Sequence, residues 1–256
     1  MLLAIDMGNT QTALGLFDGA EPLRSWRMPT DRTFTKDEVH VRLMGYFQMY
    51  GLDLGCIDAM CFAGVVPQLQ RAWAGVAAQL DVPLVQVGSD TAAVTLVDAP
   101  NPSEVGADRV ANAVAAAELY GSPSIVVDFG TATNIDVVDG RGAYIGGAIA
   151  PGIRISMDAL TARAAKLASV PLEAPDHAIG RNTLECVQAG AVMGAAAMAE
   201  GLVARIRAEL PGGAGARVIA TGGLAGIVAG CTDLFDAVDQ QLTLKGIQII
   251  WQRMQG

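Results

Sequence analysis

The chain is poor in the residues that build metal cages, disulfide frameworks and hydrolytic triads. It has 2 histidines and 4 cysteines in 256 residues. Cys56, Cys61, Cys186 and Cys231 are scattered, with no C-x-x-C pair and neither His40 nor His177 at ligand spacing. That argues against structural zinc and a disulfide network, and it fits a reducing cytoplasm. Neither histidine accompanies a nucleophile motif, so a Ser-His-Asp set is not credible. Charged residues make up only 17% of the chain, and the formal net charge is −9 with no Lys/Arg cluster. A nucleic-acid or anionic-membrane surface is therefore not expected. No apolar run reaches membrane-spanning length without a Gly, Pro or charge. The opening MLLAIDMGNT lacks the basic region of a secretory signal. Hydrophobic residues, by contrast, reach 52%. They allow a large core and exclude disorder, and the length suits two modest domains or one large one.

What the chain does have is a repeated unit. Residues 3–19 read LAIDMGNTQTALGLFDG, and residues 125–140 read IVVDFGTATNIDVVDG. Each has an apolar run, Asp-x-Gly-Asn/Thr, a second strand-like stretch and an Asp-Gly turn. Asp6 matches Asp128, Gly8 matches Gly130 and Asp18 matches Asp139. Two copies of one strand–loop–strand unit imply two similar α/β halves. A strand ending in Asp and turning through Gly brings backbone N–H groups close to a ligand, because Gly has no Cβ. Thr10, Gln11 and Thr12 can add donors. The Asp has no positive neighbour in sequence, which makes water-bound Mg²⁺ a natural companion. The spacing is neither a Walker A loop nor G-x-G-x-x-G.

Between the copies, residues 35–50 carry apolar positions at helical period, and 58–66 read as a buried strand stopped by Pro67. A helix near 68–80 and a strand near 84–87 follow. The Pro-rich stretch 98–103 marks a boundary between lobes 1–102 and 103–256. Beyond it we expect a helix over 104–120, strands at 124–128, 134–138 and 143–149, and a helix over 154–168. A long helix over 183–210 carries Gly190, Gly194 and Ala197 near one face, which suits internal packing or a dimer seam. A strand at 217–221 and a helix at 246–254 close the chain.

Glu104-Val105-Gly106-Ala107-Asp108-Arg109 opens the helix over 104–120, where N–H groups and the dipole favour anions. Asp108 and Arg109 project about 100° apart. One can take a proton while the other clamps a carboxylate. GGAIAPG at 146–152 either shapes a pocket wall or turns the chain. Thr183 is placed to cap the long helix. Thr221-Gly222-Gly223 offers either a flat surface for an adenine face or a plain turn.

The set DMGNTQT, EVGADRV, DFGTATNID, GGAIAPGI, IGRNT, ATGGLA and LTLKGI, in that order over almost the whole chain, resembles the type III pantothenate kinases. That family belongs to the acetate and sugar kinase, Hsp70 and actin superfamily. The resemblance implies duplicated ribonuclease H-like (actin-like ATPase) lobes with a cleft between them. It implies ATP-dependent phosphorylation of pantothenate, the first step of coenzyme A synthesis, in a cytoplasmic homodimer using Mg²⁺ and K⁺ or NH₄⁺. By the same resemblance Asp6, Met7, Gly8, Asn9, Thr10, Gln11, Thr12 and Ala13 bind ATP, as does Thr131. Gly106, Ala107, Asp108, Arg109 and Thr183 bind pantothenate, Asp108 is the general base, and Asp128 holds the monovalent cation. The chain departs from the family at Ser103, where a Tyr usually helps form the pantothenate pocket, and at Ala63-Gly64-Val65-Val66-Pro67, Asn134 and Val187-Gln188-Ala189-Gly190. The alternatives are a non-catalytic accessory homologue and a kinase for another small hydroxy-acid.

Overall fold

The structure, a computed structural model, describes residues 1–64, 66–88, 91, 93–164 and 170–256. Val65 in the expected strand 58–66 and the end of the expected helix 154–168 lie outside the described residues. Contacts divide the chain into two compact units, Met1–Ala115 with Thr243–Gly256, and Ala116–Leu242.

The first unit is built on a five-stranded mixed sheet. Strand β1 (Leu2–Met7) pairs antiparallel with β2 (Gln11–Phe17), and β2 with β3 (Pro22–Pro29). On its other side β1 runs parallel to β4 (Ala59–Gly64), and β4 to β5 (Leu84–Gln86). The order is β3-β2-β1-β4-β5. Helices α1 (Lys36–Gln48) and α2 (Pro67–Leu80) cover one face. Thr35 and Glu38 form a reciprocal capping box at the start of α1. Alternate residues Leu3, Ile5 and Met7 of β1 and Leu14 and Leu16 of β2 bury against Val39, Leu43, Phe47 and Trp73 from those helices. Trp26 of β3 stacks on Phe47 at 5.2 Å between ring centroids.

The second unit repeats this plan. Strands β6 (Ser124–Phe129), β7 (Ala132–Val138) and β8 (Tyr144–Pro151) form the antiparallel half, and β9 (Arg217–Thr221) and β10 (Ala237–Val238) the parallel half. The order β10-β9-β6-β7-β8 is the first sheet's order read from the opposite edge. Even the irregularities match: a register shift lies at Leu16/Phe17 in the β2–β3 pair and at Val137/Val138 in the β7–β8 pair. The second loop, between Phe129 and Ala132, is one residue shorter than the first, between Met7 and Gln11.

Helix α3 (Ala107–Tyr120) precedes β6, and α4 (Ile153–Arg163) follows β8. Helix α5 (Thr183–Gln188) continues through a π-helical turn (Ala189–Met193) into α6 (Gly194–Glu209). By length and apolar composition alone Thr183–Glu209 could cross a membrane, though Glu185, Gly190, Gly194 and Glu200 interrupt its apolar run. Its Ala195, Ala196, Ala199 and Val203 instead join the core of the second unit. Gly190, Gly194 and Ala197 are exposed, so their face is not used for packing within the unit among the described residues. A short α7 (Ala225–Ala229) precedes β10, and α8 (Leu242–Gln255) returns to the first unit. The division between the compact units falls inside α3, and Thr243–Gly256, which holds nearly all of α8, belongs with residues 1–115.

Candidate active site

In each unit chemistry-bearing residues stand where its first strand ends, β1 in one and β6 in the other. In the first unit the loop closes on its own backbone: the Gly8 N–H donates to the Gln11 carbonyl at 3.1 Å. A Cβ on Gly8 would stand 2.8 Å from that oxygen, so only glycine fits. Thr30, just past β3, buttresses the loop from outside. Its hydroxyl donates to the Gly8 carbonyl at 2.7 Å, and its N–H donates to the Thr10 carbonyl at 2.9 Å. The Thr12 hydroxyl is buried 2.9 Å from the Thr30 hydroxyl, so Thr12 supports the loop from beneath and is not an open donor. Asn9, Thr10 and Gln11 are exposed; Asp6 is half-buried, with half-buried Ala13 opposite it in the register and buried Met7 next along the strand.

The second unit reaches the same shape with other residues. The Gly130 N–H donates to the Ala132 carbonyl at 3.0 Å. Where Thr30 follows Pro29 at the end of β3, Gly152 follows Pro151 at the end of β8. A Cβ on Gly152 would stand 2.7 Å from the Gly130 carbonyl oxygen and would overlap that of Thr131. The GGAIAPG stretch thus ends in a glycine seated on the loop's carbonyls. Thr131 itself is exposed.

A second pair of glycines lies at the ends of the neighbouring parallel strands. Gly64, at φ +146°, would place a Cβ 2.6 Å from that of Met7. Gly222, at φ +91°, would place one 2.7 Å from the Phe129 carbonyl carbon and into the Asp128 carboxylate. Both are left-handed backbone positions that glycine favours. Thr221-Gly222-Gly223 is therefore a cradle for Asp128, closed by the Leu224 N–H donating to the Phe129 carbonyl at 3.2 Å.

The two aspartates differ in what flanks them. Asp6 pairs in register with Ala13 and Ala63, which offer no side-chain oxygen. Asp128 pairs with Asn134 and Thr221. Ile125, Val127, Phe129, Ile135, Val137, Val218 and Ala220 face the core, so by alternation Asp128, Asn134 and Thr221 share the opposite face. A carboxylate, an amide oxygen and a hydroxyl in one row are oxygen donors of the kind that suit a hard cation. Among the described residues no group of three or more His, Cys, Asp or Glu could hold a metal ion.

Helix α3 begins later than expected. Pro102–Glu104 forms a 3₁₀ turn, Val105 is extended, and the helix starts at Ala107. Glu104 lies outside the helix and its carboxylate accepts from the Asn101 amide at 3.2 Å. Asp108 sits in the first turn, where a carboxylate complements the dipole. Its Oδ1 accepts from the Arg109 N–H at 2.9 Å. That oxygen lies 2.5 Å from where a Gly106 side chain would begin, which explains a glycine just ahead of the helix. Asp108 and Arg109 are both half-buried.

Thr183 is the first residue of α5 and is exposed; it is not the cap. Asn182 caps the helix, with its amide oxygen accepting from the Glu185 N–H at 3.0 Å. The Glu185 carboxylate returns to the Asn182 amide and to the Arg181 N–H, each at 2.7 Å. The Asn-x-x-Glu spacing is the capping-box pattern, and it outcompetes Thr183, which has Cys186 three residues on.

Residues 6–13 and 106–109 thus belong to the first unit, and Asp128, Thr131 and Thr183 to the second. Within the first unit α8 supports both sets. Leu244 packs on Gly15 of β2, and Gly246 lies on the backbone of Ala111, one turn beyond Asp108. The Thr243 hydroxyl donates to buried Asn112 at 2.8 Å. Sequence reasoning missed Thr30, the capping role of Asn182 and the close approach at Gly64, and it read Gly222 as part of a flat surface or a plain turn instead of a cradle for Asp128. Pro29/Pro151 at the same interval as the loops was the available signal.

Two ribonuclease H-like lobes with a glycine–aspartate loop in each define a member of the actin-like ATPase fold. Solved structures share that fold at low identity. A Baf family transcriptional activator from Campylobacter jejuni aligns over 99% of this chain and 98% of its own, with TM-score 0.62 and 17% identity. The activator of 2-hydroxyisocaproyl-CoA dehydratase from Clostridium difficile aligns over 99% and 96%, with TM-score 0.57 and 14% identity. The sequence profile of type III pantothenate kinase matches residues 2–205. The type III pantothenate kinase of Thermomicrobium roseum is 48% identical over 99% of this chain and 98% of its own length. The chain belongs to the type III pantothenate kinase family.

Proposed function

We propose that this chain phosphorylates the primary hydroxyl of pantothenate with ATP, giving 4′-phosphopantothenate in the first step of coenzyme A synthesis. The observation that carries the reading is the full-length match to the family, at 48% identity. Asp6, Asp108, Arg109 and Asp128 stand in the motifs that resemble the family's.

The first loop, from Asp6 to Ala13, holds ATP phosphates with exposed backbone N–H groups and the Asn9 and Thr10 side chains; Thr12 acts through Thr30. Thr131 contacts ATP from the second loop. Gly106 to Arg109 bind pantothenate, with Arg109 clamping its carboxylate. Asp108 accepts the hydroxyl proton as the new P–O bond forms, while Thr183 adds a pantothenate contact. A positioned base contributes about 10²–10⁴-fold, and positioning with charge neutralisation supplies most of the rest. Mg²⁺ bound with ATP would offset the charge of the phosphates. Asp128, with Asn134 and Thr221, holds K⁺ or NH₄⁺.

We further propose a homodimer through the second unit. Ile149 is 66% exposed and Ile179 84% exposed, with Ile145, Leu160 and Leu184 also open. The uncovered face of Gly190, Gly194 and Ala197 lies on the same unit. Apolar exposure on that scale marks an interaction surface. Cys56, Cys61, Cys186 and Cys231 are free thiols, which fits a reducing compartment.

The test is ADP release from ATP, Mg²⁺ and pantothenate, with K⁺ present or replaced by Na⁺. Pantothenate-dependent, K⁺-stimulated ADP supports the reading. ADP formation with another small hydroxy-acid but not with pantothenate would redirect it. Ser103, exposed in the 3₁₀ turn before α3, is the observation that favours that second acceptor.

A further inference from the structure

The repeat extends past the loops. Pro29-Thr30-Asp31-Arg32 and Pro151-Gly152-Ile153-Arg154 stand 122 residues apart, the same interval as Asp6 and Asp128. In each unit the residue after Pro buttresses the loop, and an arginine follows two residues later. We propose that Arg32 is a nucleotide-binding residue whose guanidinium contacts the phosphate chain of ATP held by the first loop. This rests on the kinase reading above for its ligand.

Three features of the first unit point to Arg32. Its Nη2 is 3.5 Å from Asn9 Oδ1, so the side chain already reaches the exposed rim of the loop. Its backbone is held in place on both sides. Thr30 is bonded to Gly8 and Thr10, and the Asp31 carboxylate accepts from the Thr33 N–H at 2.9 Å and the Thr33 hydroxyl at 2.7 Å. Asp31 Oδ1 accepts both bonds from Thr33, and among the described residues no carboxylate lies within ion-pair reach of Arg32.

A chain of net charge −9 must gather a polyanion with local positive groups. A guanidinium fork matches phosphate oxygens two at a time. Asn9 Oδ1 is a weak neutral acceptor that an incoming phosphate oxygen would replace. The duplicated partner has diverged. Arg154 lies along α4 in a groove shared with Met157, Asp158 and Leu172, with the carboxylate one turn on. The Pro-x-x-Arg pattern therefore leaves one arginine directed at a loop, in the first unit.

The test is isothermal titration of a non-hydrolysable ATP analogue with Mg²⁺, without acceptor, into wild type, R32Q, R32K and R24Q. Arg24 stacks on Tyr50 at 5.0 Å and serves as a charge-matched control. R32Q is expected to weaken binding about 10-fold or more, R32K less, and R24Q under about twofold. The dependence of affinity on salt should be shallower in R32Q. In turnover, KM for ATP should rise while KM for pantothenate stays put. R32Q binding the analogue within twofold of R24Q would overturn the proposal. Because binding is read without acceptor, a wild type that binds nucleotide but does not phosphorylate pantothenate would defeat the kinase reading and leave the Arg32 result standing.

Discussion

A side chain at Gly246 would collide with the backbone of Ala111. An ideal Cβ there would stand 2.5 Å from the Ala111 carbonyl carbon and overlap its oxygen. Helices α8 and α3 thus touch backbone to backbone one turn beyond Asp108. Gly246→Ala must push the helices apart. Overpacking of this kind typically costs about 1–3 kcal/mol, or roughly 2–4 °C in Tm per kcal/mol for a chain this size. Calorimetry should show that loss, and turnover should fall with it as Asp108 shifts. An unchanged Tm would mean that the helices separate freely.

Gly106→Ala isolates the carboxylate from the fold. Its Cβ would lie 2.5 Å from Asp108 Oδ1 and 3.7 Å from Arg109 Cγ, with no backbone clash beyond its chain neighbours. The carboxylate must rotate away while the helix stays. We expect near-native Tm and a kcat lower by about 10²-fold, the cost of misplacing a reacting group by an ångström. Asp108→Asn should lose about 10²–10⁴-fold with ATP binding intact. If G106A retains full kcat, that carboxylate position does not matter to the reaction.

Asp236 gives a pH signature outside the site. The Val218 N–H donates to its carboxylate at 2.8 Å, and Arg217 pairs with it at 2.8 Å, and together they hold its pKa below the ordinary carboxylate value. A carboxyl whose pKa is depressed on folding stabilises the fold above its unfolded value and loses that contribution as pH falls through the folded one. Urea titrations should therefore show wild type more stable than Asp236→Asn at pH 7. The gap should narrow below about pH 4. A gap independent of pH would assign the difference to packing.

The duplicated loops could be read in the sequence because Asp and Gly recur at one interval and both are needed for close backbone approach. The β3 edge strand could not. PLRSWRMP begins and ends in Pro and buries only Trp26 and Met28, so its alternation is too short to stand out. β10 has two residues and α7 five, below any periodic signal. Which sheet α8 joins is a tertiary choice; Gly246 in LTLKGI marked a close approach but not to what. The α3 start was misjudged at Glu104 because an acidic residue ahead of an apolar run resembles a first turn, while Pro102 instead organised a separate 3₁₀ turn. At Asn182-Thr183 two capping residues stood side by side, and Glu185 decided between them.

Thr221 offers the sharpest test of the cation assignment. It is 1% exposed and sits beside Asp128 across the β6–β9 pair, where the first unit has Ala63 beside Asp6. Thr221→Val keeps shape and strand preference but removes the oxygen. If Asp128, Asn134 and Thr221 hold K⁺, then K⁺ in place of Na⁺ at equal ionic strength should raise the wild-type Tm by mass action. The rise should vanish in Thr221→Val and shrink in Asn134→Ala, while both variants unfold normally in Na⁺. No side-chain oxygen can be removed beside Asp6, since Ala13 and Ala63 have none; Asp6→Asn should accordingly leave the K⁺ response intact even as ATP binding weakens. A K⁺ shift of full size in Thr221→Val would remove the hydroxyl from the site. Its loss in Asp6→Asn would move the cation to the other lobe.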